Sequence, residues 1–483
     1  MITKDLISLG LLLVVATCVG SQRQPGGVAG LGSGIREARV TKHGKAVVCY
    51  VASWAVYRPE RGSFSIEELE PALDGCTHVV YAFAGLNSTT NGLRSLDPFR
   101  DLEENYGKGT YRRMTGLRRH YPHLKVTLAV GGWNEGSQNY SAMAATANTR
   151  ALFVASALDF IHNYDFDGLD LDWEYPSQRG GKPEDKKNFV ALVRELKEAF
   201  KSRGWILTSA FGAAKDKIDA AYDVQALAPH IDLFHLMCYD YHGSWDQKTG
   251  HNAPLHPPEQ PRIPLDEYFN VEYTVKHMLR LGAPPEKLVL GVPMYGRTFL
   301  LANEDDGKVG SPAKPTGFQG RFTKEDGFMG YNELCLEFMP PKDDHSDGHD
   351  HDNHNMSLTW RKSYDEVAKT PYAVKGDHWL SYDDEASIKE KVKFAMSNGL
   401  GGIMIWSIDT DDFHGDCSGE NSSPSKKFPL LNAINDAIEE SMNETPNEIP
   451  DGKEEEDSGS ISLVSSSVFV ILVNLFLVKF IYQ

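Results

Sequence analysis

The chain has 483 residues, a formal net charge of −18 and an ordinary globular composition, 41% hydrophobic and 24% charged. That length buries a large core and allows a barrel-sized domain. The acidic balance, with no basic cluster against it, disfavours nucleic acid or an anionic membrane surface as partner and leaves a neutral polymer open.

Residues 1–21 read as a secretory signal peptide: Lys4, an apolar run from Leu6 through Val19, then Gly20 and Ser21. The run is short for a spanning helix, and an uncleaved anchor is the other reading. Residues 22–43, rich in Gly, Gln and Arg, form a flexible leader. From residue 44 to 437 short apolar runs alternate with helical patterns, giving strands at 46–51, 78–83, 125–130, 168–174, 206–211, 233–239, 287–294 and 402–408. Helical stretches such as 186–201 and 384–397 lie between or after them. Eight strand-helix units predict an α/β fold, the (β/α)₈ TIM barrel, with its site at the C-terminal strand ends.

The gap between the seventh and eighth strands is too long for one helix, so an insertion is expected at about 298–377. Inside it runs Asp343-Asp-His345-Ser-Asp-Gly-His349-Asp-His351-Asp-Asn-His354, which could hold a metal. Its low complexity and lack of fixed ligand geometry favour a solvated loop, and neither a metal nor a cofactor is expected. Residues 438–460 read as an acidic disordered stalk. Residues 461–483 end in an apolar tail with almost nothing after it, a pattern that fits a glycolipid-anchor signal better than a spanning helix. The body then faces outward. Sequons at Asn87, Asn139, Asn355, Asn421 and Asn443 fit passage through the secretory pathway. Removing Cys18 leaves Cys49, Cys76, Cys238, Cys335 and Cys417, an odd set whose pairing spacing cannot assign.

The fourth strand carries the chemistry: Asp167-Gly-Leu-Asp170-Leu-Asp172-Trp-Glu174-Tyr-Pro176. Strand alternation puts Asp170, Asp172 and Glu174 on one face, roughly 6 to 7 Å apart, with Leu171 and Trp173 on the other. Burying such a row favours protonation and proton sharing, raises at least one pKa, and supplies a general acid near neutral pH. The bland readings are a solvated acidic loop, which the leucines and Trp173 oppose, and a calcium loop, which would need other spacing.

These four acids resemble the glycoside hydrolase family 18 chitinase signature Asp-x-x-Asp-x-Asp-x-Glu, filled by Asp167, Asp170, Asp172 and Glu174. Met237-Cys-Tyr239-Asp240-Tyr-His-Gly243 is similar to the family's Met-x-Tyr-Asp-x-x-Gly. Ala129-Val-Gly131-Gly132-Trp133 departs from Ser-x-Gly-Gly only at Ala129, which is expected to tune the acids rather than abolish activity. The resemblance implies a small α+β insertion domain and a chitinase acting on chitin or chitooligosaccharides as a monomer. It further implies disulfides Cys49–Cys76 and Cys335–Cys417, which leave Cys238 free. Glu174 becomes the acid, Asp172 the acetamido orienter, Asp170 its proton-sharing partner and Tyr239 the holder of the acetyl oxygen. Tyr50, Trp54, Phe83, Gly132, Trp133, Met237, Asp240, Trp245, Tyr295, Arg297 and Trp406 become substrate-binding residues, the aromatics as platforms for sugar faces. Two alternatives remain: a chitin lectin of the same fold, which typically lacks the acid or its Asp partner, and an endo-β-N-acetylglucosaminidase acting on N-glycans.

Overall fold

The computed structural model describes residues 43–259, 264–339, 359–418 and 426–443. The expected signal peptide, the leader up to residue 42, the His/Asp tract, Asn355, Asn421, the stalk beyond 443 and the apolar tail lie outside these residues. No described helix is long and apolar enough to cross a membrane.

Fourteen strands run in chain order: β1 (Ala46–Ala52), β2 (His78–Asn87), β3 (Gly92–Ser95), β4 (Lys125–Gly131), β5 (Gly168–Asp172), β6 (Ile206–Gly212), β7 (Leu233–Met237), β8 (Leu288–Pro293), β9 (Tyr295–Leu300), β10 (Phe328–Gly330), β11 (Arg361–Asp365), β12 (Thr370–Lys375), β13 (His378–Ser381) and β14 (Gly402–Trp406). The order β1-β14-β8-β7-β6-β5-β4-β2 is parallel throughout, and β2 pairs back with β1. That closes a (β/α)₈ barrel from the eight expected strands, with β3 added antiparallel to β2. Helices such as Asp185–Phe200 cover it, burying Phe189, Leu192, Val193, Leu196 and Phe200 at helical spacing.

Four strands stop earlier than the pattern suggests, among them β8 at Pro293 and β14 at Trp406. β5 ends at Asp172 and β7 at Met237, so Glu174 and Tyr239 stand beyond the ladder. Their apolar neighbours continue into loops that fold against the core rather than into pairing. The register of β2 against β4 also shifts between Tyr81 and Ala84, at Phe83.

The insertion is a five-stranded antiparallel sheet, β10-β9-β13-β12-β11, with the helix Tyr331–Glu337. It begins at Tyr295, with only Met294 between it and β8, and runs to Ser381, wider at both ends than the expected 298–377. Both cysteine pairings are present: Cys49–Cys76 ties β1 to the segment before β2, and Cys335–Cys417 ties the insertion helix to the loop after β14. Cys238 is free and fully buried, and burial pushes its thiol up to about 12. The last helix, Pro429–Asn443, takes in residues 438–443 that were expected in the stalk. Leu430, Leu431, Ile434, Ala437 and Ile438 form its buried stripe, so packing carries the helix past the barrel's expected end.

Asp383, just after β13, forms an ion pair with Lys391 of the helix Glu385–Ser397, both side chains wholly buried, where the insertion returns to the barrel. Lys391→Met strands Asp383 in the core and is expected to lower the unfolding free energy by about 3–5 kcal/mol. Adding Asp383→Leu should recover most of that loss. Urea denaturation of both variants checks this, and a single variant as stable as the native protein would contradict it.

Candidate active site

Within β5 the side chains alternate as the spacing demands. Leu169, Leu171 and Trp173 join the core beneath the helices, while Asp170 and Asp172 point into the barrel. The neighbouring strand makes room with glycine. Gly131 has φ +121°, and a Cβ there would stand 2.0 Å from the Asp172 carbonyl oxygen. Gly132 has φ +86°, donates its N–H to that same oxygen at 2.8 Å, and lies against the Phe83 ring. Ala129 registers against Asp170 and is fully buried.

Asp170 is the best-held acid. Its Oδ2 accepts from the Tyr50 hydroxyl at 2.7 Å and its Oδ1 from Thr208 Oγ1 at 2.6 Å. His235 Nδ1 lies 2.7 Å from the Tyr50 oxygen and 3.1 Å from Asp170 Oδ1, and its buried Nε2 has no partner. Asp172 contrasts with it. Its Oδ1 is buried without a hydrogen bond, and burial, then the charges of Glu174 and Asp170, hold its carboxyl well above the usual range. Glu174 is 8% exposed, and burial pushes it up to about 7. A Tyr175 hydrogen bond and the Arg179 and Lys217 charges oppose that rise, and Asp240 adds to it. Raised to about 7, Glu174 retains a proton in a large share of molecules at neutral pH, in a site that also holds an open acceptor.

The loops after β7 and β8 build the facing wall. Asp240, at φ +58°, accepts from the Tyr295 hydroxyl and Arg297 Nε on Oδ1 and from Arg297 Nη2 on Oδ2, each at 2.7 Å. The Arg297 guanidinium lies 5.1 Å from the Trp245 ring centroid and 5.5 Å from that of Phe328. Burial holds the Tyr239 phenol far above its ordinary value, and its hydroxyl meets Met404 Sδ at 3.8 Å. Met237 packs with it in the barrel interior. A continuous aromatic floor joins Trp54, Phe83 and Trp406: Trp54 and Phe83 stack at 6.1 Å, Phe83 and Trp406 at 5.8 Å.

The sequence-based candidates divide by position. Trp54, Trp133 and Trp245 are exposed by 46%, 56% and 52%, so their faces are open to a ligand. Tyr50 and Tyr295 are 2% exposed and instead hold Asp170 and Asp240, which is a supporting place rather than a platform. Thr208 and His235 escaped the sequence reading, although each is a polar residue in an apolar strand at an inward position. Glu325 and Arg179 come from loops and Lys217 from the short helix Lys215–Ala221, and no local pattern signals their approach. Burial raises Glu325, which faces Arg297 and Asp240.

Residues 46–411 match the model for "Glycosyl hydrolases family 18". "Probable chitinase 2" of Drosophila melanogaster is 48% identical over 416 residues, covering 82% of this chain and 81% of that one. A crystal structure of Ostrinia furnacalis Group IV chitinase in complex with allosamidin superposes with a TM-score of 0.73 at 40% identity, covering 82% of this chain and 99% of that one. Human YKL-39, described as a pseudo-chitinase with retained chitooligosaccharide binding properties, superposes with a TM-score of 0.70 at 33% identity, covering 82% and 100%.

Folded Glu174 keeps its proton to about pH 7, whereas the ordinary side chain releases it near 4.5. Between those values the folded state holds more protons, so this group's contribution to stability falls as pH rises through that window. Glu174→Gln is therefore expected to gain melting temperature over the native protein as pH climbs from below the window to above it. A difference that stays flat with pH, measured by calorimetry, would remove the case for a raised Glu174.

Proposed function

The chain belongs to glycosyl hydrolases family 18, and from that membership we propose that it is an endochitinase cleaving β-1,4 bonds of chitin with retention, by substrate-assisted catalysis. The observation that carries the reading is a Glu174 raised by burial to about 7, with the open Oδ1 of Asp172 and an aromatic floor in the same barrel mouth.

A chitin chain lies with sugar faces on Trp54, Phe83 and Trp406 and its scissile oxygen at Glu174. Glu174 gives its proton to that oxygen as the bond to the anomeric carbon breaks, and the leaving chain departs as an alcohol. The sugar's own acetamido oxygen attacks the anomeric carbon, as in the substrate-assisted exceptions to two-carboxylate hydrolysis. Asp172 Oδ1 accepts the acetamido N–H, which supports the positive charge of the oxazolinium ion. The Tyr239 hydroxyl, kept protonated by burial, donates to the acetyl oxygen. Glu174, now a carboxylate, takes a proton from the water that opens the ring, so the anomer is unchanged. Asp170, fixed by Tyr50 and Thr208, supplies the charge that keeps a proton on or near Asp172.

The pseudo-chitinase reading competes, because YKL-39 shares the fold and binds chitooligosaccharides. An acid at Glu174 with its Asp partner in place favours turnover over binding alone. The long aromatic floor favours a chitin polymer over N-glycan cores. We also propose secretion through residues 1–21, an outward-facing body with sugars on exposed Asn139 and Asn443, and a C-terminal anchor. The role is chitin catabolism or cuticle remodelling.

Hydrolysis of chitotetraose is expected to give the β-anomer first by NMR. Glu174→Gln is expected to cut kcat by about 100-fold or more while binding persists. Binding without any native turnover would make this a lectin, and first release of the α-anomer would refute retention. Trp406→Ala should raise KM and lower kcat together, since the floor loses one of its three rings. A variant with unchanged kinetics would remove Trp406 from the floor.

A further inference from the structure

Arg179 lies in the loop after β5 in the left-handed region, φ +51°, followed by Gly180 at φ +91°. Its guanidinium carbon stands 3.5 Å from the Trp133 ring centroid, the closest cation over a ring among the described residues. Its Nη1 also donates to the Glu174 carbonyl oxygen at 2.9 Å. One exposed side chain therefore touches both the backbone of the acid and a platform ring. Trp133 remains 56% exposed beneath it, so the indole keeps an open face.

We propose that Arg179 is a positioning residue that locks the Trp133 ring relative to Glu174, setting the site for the sugar on the leaving side of the scissile bond. The inference rests on the chitinase reading. Trp54, Phe83 and Trp406 form one joined floor, whereas Trp133 has no ring contact with it and is linked through Arg179 to the acid. A chain lying on that floor with its scissile oxygen at Glu174 reaches Trp133 with the departing sugar. Trp133 opens a short hydrogen-bonded turn between Gly132 at φ +86° and Gly136 at φ +63°, which holds its backbone while the indole projects with 56% of its surface exposed. A planar guanidinium stacked on one face removes the indole's freedom before the sugar arrives, which lowers the ordering cost of binding.

Arg179 also carries one of the charges around the Glu174 carboxyl. Arg179 and Lys217 favour its ionised form, Asp240 and Asp172 disfavour it, and Tyr175 supplies a hydrogen bond. Deleting Arg179 leaves Lys217 as the nearby cation, so Glu174 holds its proton to higher pH and the basic limb of kcat/KM moves up.

The test compares native protein, Arg179→Ala and Arg179→Lys on chitohexaose across pH, with melting temperatures alongside. Arg179→Ala is expected to raise KM several-fold with kcat little changed, and to shift the basic limb upward. Arg179→Lys keeps the charge without the planar stack, so it should restore the limb but leave KM raised. A purely structural role would move the melting temperature and neither of these readouts. If the native protein turns over and Arg179→Ala matches it in KM and in pH profile, the inference is wrong. If the native protein does not turn over, the chitinase reading fails instead.

Discussion

Everything at this site depends on keeping one carboxylate still in the middle of a barrel. Asp170 is completely buried, yet both its oxygens are satisfied by hydroxyls from two other strands, Tyr50 of β1 and Thr208 of β6, with His235 of β7 beside them. An isolated charge there would cost several kcal/mol. The hydrogen bonds make it tolerable and fix its position across the barrel axis. Asp172 then sits in the field of a charge that cannot move away, and burial raises both Asp172 and Glu174 above the usual carboxylate range.

The fold was legible to the extent that it follows from periodicity. Eight apolar runs closed into eight parallel strands, since strand alternation and helix stripes are local properties read in a short window. The acid row was legible for the same reason. Its supports were not, because Thr208 and His235 look like ordinary polar interruptions until closure brings β6 and β7 against β5. Arg179 reaches the acid from a loop and Lys217 from a short helix after β6, and neither approach leaves a periodic trace. Tyr50 and Tyr295 show the converse: their positions were legible, but whether a ring faces ligand or braces an acid depends on burial, which the sequence does not state.

The insertion shows how boundaries fail. The expected insertion starts at about residue 298, yet β9 starts at Tyr295 and carries Tyr295 and Arg297 directly from the barrel into the second sheet. One strand thus serves both layers. Its first residues clamp Asp240 at the site while its later residues pair with β13. The buried Asp383–Lys391 pair and the Cys335–Cys417 bridge fasten the far side, so the insertion forms a wall of the cleft held at several points rather than a lid on one hinge.

Cys238 immediately precedes Tyr239, sealed in the core around the barrel with a thiol that scarcely ionises at neutral pH. A thiolate-seeking reagent therefore has nothing to attack in the closed protein. Any labelling must wait for the strand end that bears Tyr239 to come open, and its rate counts those openings. The free cysteine of the described residues is in this sense a clock, placed one residue from the phenol of Tyr239.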